Sequence, residues 1–216
     1  PCMLLLFGYM YGNEPVWGGY GIVDISFGAY VGISICVTGL MSLPLTLAQY
    51  RQKKVLKQFR ATPASAGSLL ASQVVMNFIF TVLSVILLWL VARIFFGYAM
   101  AGSVWLFGVA FLATCLCIFA IGVLIASVAP NERAATVICY FVYFPMLFLS
   151  GATMPYEMFP PGMQTFVSLL PLTHGIKLMK GIALGGELAA YGTELMVLLG
   201  VGLVCAALSA LFFKWE

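Results

Sequence analysis

Residues 104–128 read VWLFGVAFLATCLCIFAIGVLIASV, with no Asp, Glu, Lys or Arg among them. At 1.5 Å per residue a helix of that length rises about 37 Å, enough to cross a hydrocarbon layer about 30 Å thick. Residues 25–47, 69–92, 134–152 and 191–213 are also apolar and long enough to cross. Residues 1–11 look like the outer end of a further span. The whole chain follows suit, being 63% hydrophobic and only 8% charged, where a soluble domain carries roughly 25% charged residues. So much apolar surface has no place in a water-soluble fold of 216 residues, and lipid is its natural solvent. The expected fold is all-α: a polytopic transmembrane helical bundle forming one domain over 1–216, with five full spans and the remnant of a sixth. The start at Pro1, inside an apolar run and without a basic leader, reads as a truncation within the first span.

Lys and Arg set the orientation. Arg51, Lys53, Lys54, Lys57, Arg60, Arg133 and Lys214 fall on one side, and Arg93, Lys177 and Lys180 on the other, seven against three. The richer side is expected to be cytoplasmic, with both termini of the parent chain there. Glu14, Asp24 and Glu157 then lie outside. Between 153 and 190 two apolar segments, Gly162–Leu170 and His174–Leu184, are too short to cross and are punctuated by Pro160, Pro161 and Pro171. They are expected to be short helices, either re-entrant or interfacial, before the last span. Backbone breaks at membrane depth are tolerated only when buried in protein.

Four groups of residues could carry function. In the basic stretch 50–63, Val55, Leu56 and Phe59 share one helical face, and Lys53, Lys57 and Arg60 the opposite one; Pro63 ends the helix. Such a helix can lie on lipid phosphates, dock on another protein or serve as a plain positive-inside anchor. Gln73, Asn77, Thr81 and Ser84 lie within about 80° of one another on a helix. Amides are costly in hydrocarbon, so this stripe should meet other helices or an aqueous path. Gly28 and Gly32, extended to Cys36, and Gly202, Ala206 and Ala210 have the small-residue spacing of close helix contacts, within the chain or between two copies. The last group is the stretch from Ser150 and Gly151 to Pro171, Thr173 and His174.

The stretch Leu149-Ser-Gly-Ala-Thr-Met-Pro155, with Phe159-Pro-Pro161 and Leu170-Pro-Leu-Thr-His-Gly175 after it, resembles the ABC-2 type permeases. In that family an SG-x-x-(F/M)P segment closes the fifth span and a P-L-T segment opens a short helix before the sixth. Phe7-Gly-Tyr-Met-Tyr-Gly12, Arg60-Ala-Thr-Pro63 (with Thr62 before Pro63) and Phe213-Lys-Trp215 are similar to other marks of the family. The chain departs from it in lacking the family's upstream cytoplasmic helix, and in carrying Gln52 or Lys53 where an acidic residue is common. The resemblance implies the permease subunit of an ATP-driven exporter in a bacterial cell membrane, paired with a second copy or a homologue. It also implies a cytoplasmic ATP-binding-cassette partner that docks on 50–62 and holds ATP and Mg. The exported compound would be an amphiphile, a drug, a lipid-linked compound or a polysaccharide.

What is missing narrows the chemistry. No G-x-x-x-x-G-K-[S/T] loop occurs, so no phosphate cradle for ATP is expected on this chain. His174 is the only histidine, and the six cysteines (Cys2, Cys36, Cys115, Cys117, Cys139 and Cys205) sit in apolar runs without C-x-x-C pairs. No metal, no bound cofactor and no catalytic residue is expected, and nothing points to nucleic acid. Two other readings stand beside the permease. One is a secondary transporter or channel, disfavoured because no ionisable residue sits deep within a span. The other is an intramembrane serine protease built on Ser150 and His174, whose G-x-S-G motif Phe148 breaks.

Overall fold

The structure is a computed structural model, and it describes residues 1–11, 15–17, 20–52, 66–151 and 160–212. Of the residues singled out above, Gly12, Glu14, Lys53, Lys54, Val55, Leu56, Lys57, Phe59, Arg60, Thr62, Pro63, Pro155, Glu157, Phe159, Phe213, Lys214 and Trp215 lie outside the described ones.

Helix α1 (Cys2–Tyr11) is followed by a small antiparallel ribbon, β1 (Pro15–Trp17) with β2 (Tyr20–Gly21). The rest is helical. The next span runs from Ile22 to Gln52 as α2 (Ile22–Val37), a π-helical turn (Thr38–Ser42) and α3 (Leu43–Gln52). Asp24 opens it by accepting the Gly21 N–H at 2.9 Å, where a helix start favours a carboxylate. The π turn has a local cause. Pro44 has no N–H and its ring would crowd the preceding turn. Widening that turn lets the Leu43 N–H reach back to the Thr38 carbonyl.

Three long helices follow: α4 (Ala66–Phe96), α5 (Val104–Val128) and α6 (Glu132–Leu149). Two short ones, α7 (Pro161–Val167) and α8 (Pro171–Ala183), precede a 3-10 turn (Leu188–Tyr191) and α9 (Gly192–Phe212). Among the described residues five helices are long and apolar enough to cross a membrane. They match the five stretches read from composition, each to within a few residues.

Helix α5 is the centre of the bundle. Its most extensive interface is with α9, and α3 and α8 also pack on it. Its buried residues, Cys115, Cys117 and Ile118 among them, lie within one cluster with Ile35 and Leu40 of the first full span, Leu172, Met179 and Ile182 of α8, and Leu198 of α9. The outer helices divide by face. On α4, Asn77, Thr81, Leu88 and Ala92 are buried, while Met76, Phe80, Leu83 and Leu87 are exposed, the pattern of a helix with lipid on one side. On α6 an exposed row of rings, Tyr140, Phe144 and Phe148, stacks at 5.6 and 6.2 Å between successive centroids.

The π turn meets α5 backbone to backbone. A Cβ on Gly122 would overlap the carbonyl oxygen of Gly39, whereas nothing stands within 4 Å of a Cβ on Gly108. Gly122→Ala should therefore lower stability by about 1–3 kcal/mol through overpacking. The thermal unfolding midpoint in detergent is the measurement. Gly108→Ala is expected to leave it unchanged, and equal midpoints for the two variants would contradict this packing.

Candidate functional site

The second of the short helices, α8, goes into the bundle. A Cβ on Gly28 would stand 2.9 Å from the backbone N of Lys180, and one on Gly32 would stand 2.7 Å from Ile176 Cγ1, so α8 lies along α2. Its C-terminal end is held where α5 begins: the N–H groups of Ala101 and Gly102 donate to the Ala183 carbonyl at 3.2 and 3.3 Å. Its first turns reach deeper, since a Cβ on Gly175 would stand 2.5 Å from Thr114 Cγ2. From Val104 to Thr114 the helix rises about 15 Å, half of a hydrocarbon layer about 30 Å thick. Helix α8 thus forms a re-entrant wedge in the half opposite the Lys- and Arg-rich side, and α7 leads into it with Val167 buried and Phe166 exposed. Of the two placements open from sequence, dipping in and lying on the surface, α8 adopts the first.

The wedge carries the candidate polar groups. Pro171 is the first residue of α8, and Pro171 and Thr173 are buried. His174 Nε2 donates to the Ser168 carbonyl at 2.8 Å, which ties the turn between α7 and α8. Ser150 ends α6 as its cap, and Gly151 follows with φ +85°, a conformation that favours glycine. Ser150 Oγ, Thr173 Oγ1 and His174 Nδ1 are buried with no hydrogen-bond partner among the described residues. Since Ser150 Oγ and His174 Nδ1 are both without a partner, they make no hydrogen bond to each other, and no serine–histidine pair forms among the described residues.

The polar stripe runs between two spans. Gln73 Nε2 donates to Tyr50 Oη at 3.1 Å, Asn77 Nδ2 to the Gln73 carbonyl at 2.9 Å, and Thr81 Oγ1 to the Asn77 carbonyl at 2.8 Å. Thr81 Oγ1 also meets Thr38 Oγ1 at 2.8 Å, on the π turn. Asn77 and Thr81 are buried and Ser84 half-buried. Gln73 and Thr81 therefore join α4 to the preceding span, while buried Asn77 is satisfied by its own helix.

Arg51, read from sequence as part of the basic 50–62 stretch, turns its guanidinium toward the end of α5. It donates to the carbonyls of Ala126 at 2.9 Å, Ser127 at 3.5 Å and Ala129, all at the end of α5. Those carbonyls have no partner within their own helix, and they form the negative end of its dipole. Beside Arg51, Gln49 Nε2 donates to Glu132 Oε1 at 2.7 Å, and Gln52 Oε1 accepts the Glu132 N–H at 3.3 Å.

The small residues divide. Gly28 and Gly32 serve contacts with α8, and a Cβ on Gly202 would stand 3.3 Å from Cys117 Cα of α5. The inward face of α9 runs through Leu198, Gly202 and Ser209, and Ser209 Oγ meets Ser127 Oγ at 3.2 Å. Ala206 and Ala210 lie off that face and are exposed, so they make no packing seam within the chain. Lys177 and Lys180, counted from sequence among the cations of the Lys- and Arg-poor side, are half-buried on α8. No signal in the sequence pointed to the pair Gly175 and Thr114.

A family model described as ABC-2 type transporter matches residues 2–184. Among curated proteins the chain is similar to Nodulation protein J of Rhizobium leguminosarum bv. viciae, 33% identical over 98 residues, which cover 43% of this chain and 33% of that protein. It is also similar to Nodulation protein J of Rhizobium meliloti (strain 1021), 30% identical over 106 residues, 46% of this chain and 36% of the relative. The chain thus covers about a third of the length of these relatives. No solved structure matches it.

The Thr38–Thr81 contact is expected to show a coupling of about 0.6 kcal/mol, and at most about 1.7, typical of hydrogen bonds between helices in membranes. A double-mutant cycle of Thr38→Ala and Thr81→Val, read by reversible unfolding in mixed micelles, measures it. Strict additivity would show that the two hydroxyls do not interact.

Proposed function

The chain belongs to the ABC-2 type transporter family, and on that premise we propose that it is the permease subunit of an ATP-driven exporter. The observation that carries this reading is the extent of the family match, from the first helix through the re-entrant helix α8. Two copies of the parent chain, or this chain and a homologue, form the pathway in a bacterial cell membrane, with the parent termini in the cytoplasm. ATP and Mg are held by a separate ATP-binding-cassette subunit, and this chain does no chemistry. The cargo is an amphiphile, a drug, a lipid-linked compound or a polysaccharide. The basic stretch 50–62 faces the ATPase, except for Arg51, whose guanidinium is turned onto the end of α5. The Lys- and Arg-rich side is the cytoplasmic one by the positive-inside rule, and the wedge of α8 then occupies the outer half.

Docking should depend more on the apolar edge of that stretch than on its charges. Burying one large apolar side chain contributes about 1.5–3 kcal/mol, against roughly 0–1 for an exposed ion pair. Phe59→Ala is therefore expected to release more of the ATPase subunit than Lys57→Ala when complexes of the full parent chain are purified. Retained ATPase per permease, followed by blotting, and the rate of ATP hydrolysis are the readouts. Unchanged association and hydrolysis in Phe59→Ala would make the stretch a lipid-surface anchor.

A further inference from the structure

The last turn of α3 sends three side chains to one short connection, residues 129–131, between α5 and α6. Each meets a group of the opposite polarity. The Arg51 guanidinium takes the carbonyls of Ala126, Ser127 and Ala129, at the negative end of α5. Gln52 Oε1 takes the N–H of Glu132, the first residue of α6, and Gln49 Nε2 takes the Glu132 carboxylate. Asn131 independently caps α6 by accepting the Ala134 N–H at 2.8 Å. Beneath these bonds Ala48, Ala129 and Ala135 close into a small buried cluster. The end of α3, the end of α5 and the start of α6 therefore form one joint.

The bonds of Arg51 differ in kind from a surface salt bridge. They end on backbone carbonyls, so side-chain rotation on the acceptor side cannot release them. The planar fork of guanidinium donors spans several carbonyls, which a lysine ammonium on a flexible stem does not do. Helix α3 is also where the chain passes into the basic stretch beginning at Lys53. At its other end α5 contacts the re-entrant helix, through Gly102 against Ala183 and Thr114 against Gly175.

We propose that Arg51 is the positioning residue through which a movement of α3 is carried into α5 and α6, and so to the wedge in the opposite half of the bundle. The inference rests on the permease reading, which supplies the nucleotide-driven movement. It gives Arg51 a role inside the chain and not on the surface that meets the ATPase.

The test uses the full parent chain with its ATP-binding-cassette subunit in lipid nanodiscs. Ser103→Cys places a probe at the exposed cap of α5, in a background with Cys2→Ser. Its labelling rate with a membrane-impermeant maleimide is measured with and without Mg-ATP and vanadate. In the parent complex trapping should change that rate roughly fivefold or more. In Arg51→Lys and Arg51→Gln the change should vanish, while copurified ATPase and ATP hydrolysis stay near parental values. Arg51→Lys keeps the charge, and it carries the test if Arg51→Gln does not assemble. Nucleotide-dependent labelling retained in an assembled Arg51→Lys complex overturns the inference. So does parallel loss of assembly or hydrolysis in both variants, because Arg51 would then act on folding or docking and not on transmission. A parent complex that hydrolyses ATP without any labelling change overturns the inference and leaves the permease reading standing. A parent chain that binds no such subunit overturns both.

Discussion

Hydrocarbon offers no hydrogen bonds, so every break in a helix at membrane depth must be closed by the protein itself. This chain has several such breaks, and much of its architecture follows from closing them. Pro44 interrupts the first full span; the ladder there is re-formed as a π turn, whose Gly39 carbonyl lies against Gly122 and whose Thr38 hydroxyl meets Thr81. Beyond that depth, on the Lys- and Arg-rich side, the junction of α5 and α6 is tied by Arg51, Gln49, Gln52 and Asn131. The turn between α7 and α8, with Leu169 exposed, is tied by His174 on the Ser168 carbonyl. The far end of α8 is closed by the backbone of Ala101 and Gly102.

The same constraint explains the division of labour among helices. Helices α4 and α9 keep their hydrogen bonds within themselves along most of their length and can face lipid broadly, as Leu83, Leu87, Leu203 and Leu211 do. Helix α8 cannot span, and it begins and ends on exposed backbone groups. It survives only because α2 and α5 enclose it, and Gly28, Gly32 and Gly175 remove the side chains that would keep it out. The half-membrane wedge therefore depends on glycines on both sides of its contacts. It also carries Lys177 and Lys180, both half-buried.

The spans were legible in the sequence because composition decides them: a run without charge and about twenty residues long has one use. The shortness of the two segments after Pro160 was also legible, since proline and length both limit them. The depth of α8 was not. Hydropathy cannot distinguish a short apolar helix on a membrane surface from one enclosed by spans, and the complementary glycine on α2 lies far away in sequence. The acceptors of Arg51 were not legible for a related reason: helical periodicity assigns a residue only to a face of its own helix, whereas the α5 carbonyls that take its guanidinium arise from where another helix ends. The polar stripe was found because its cost in lipid is a property of the residues themselves; its partners Tyr50 and Thr38 needed the fold. Ala206 and Ala210 repeat the spacing of a packed seam, yet α9 turns a neighbouring face inward. Spacing alone does not fix helix rotation.

The central claim is that this bundle is the membrane half of a machine driven by a separate ATPase. The most direct measurement is to purify the full-length parent chain from its own membrane under mild detergent and determine the identity and stoichiometry of its partners by native mass spectrometry. The account predicts permease chains accompanied by an equal number of ATP-binding-cassette subunits, and a complex that hydrolyses ATP in a vanadate-sensitive way. A parent chain that purifies without any nucleotide-binding subunit, and that moves solute down an ion gradient when reconstituted, would contradict it.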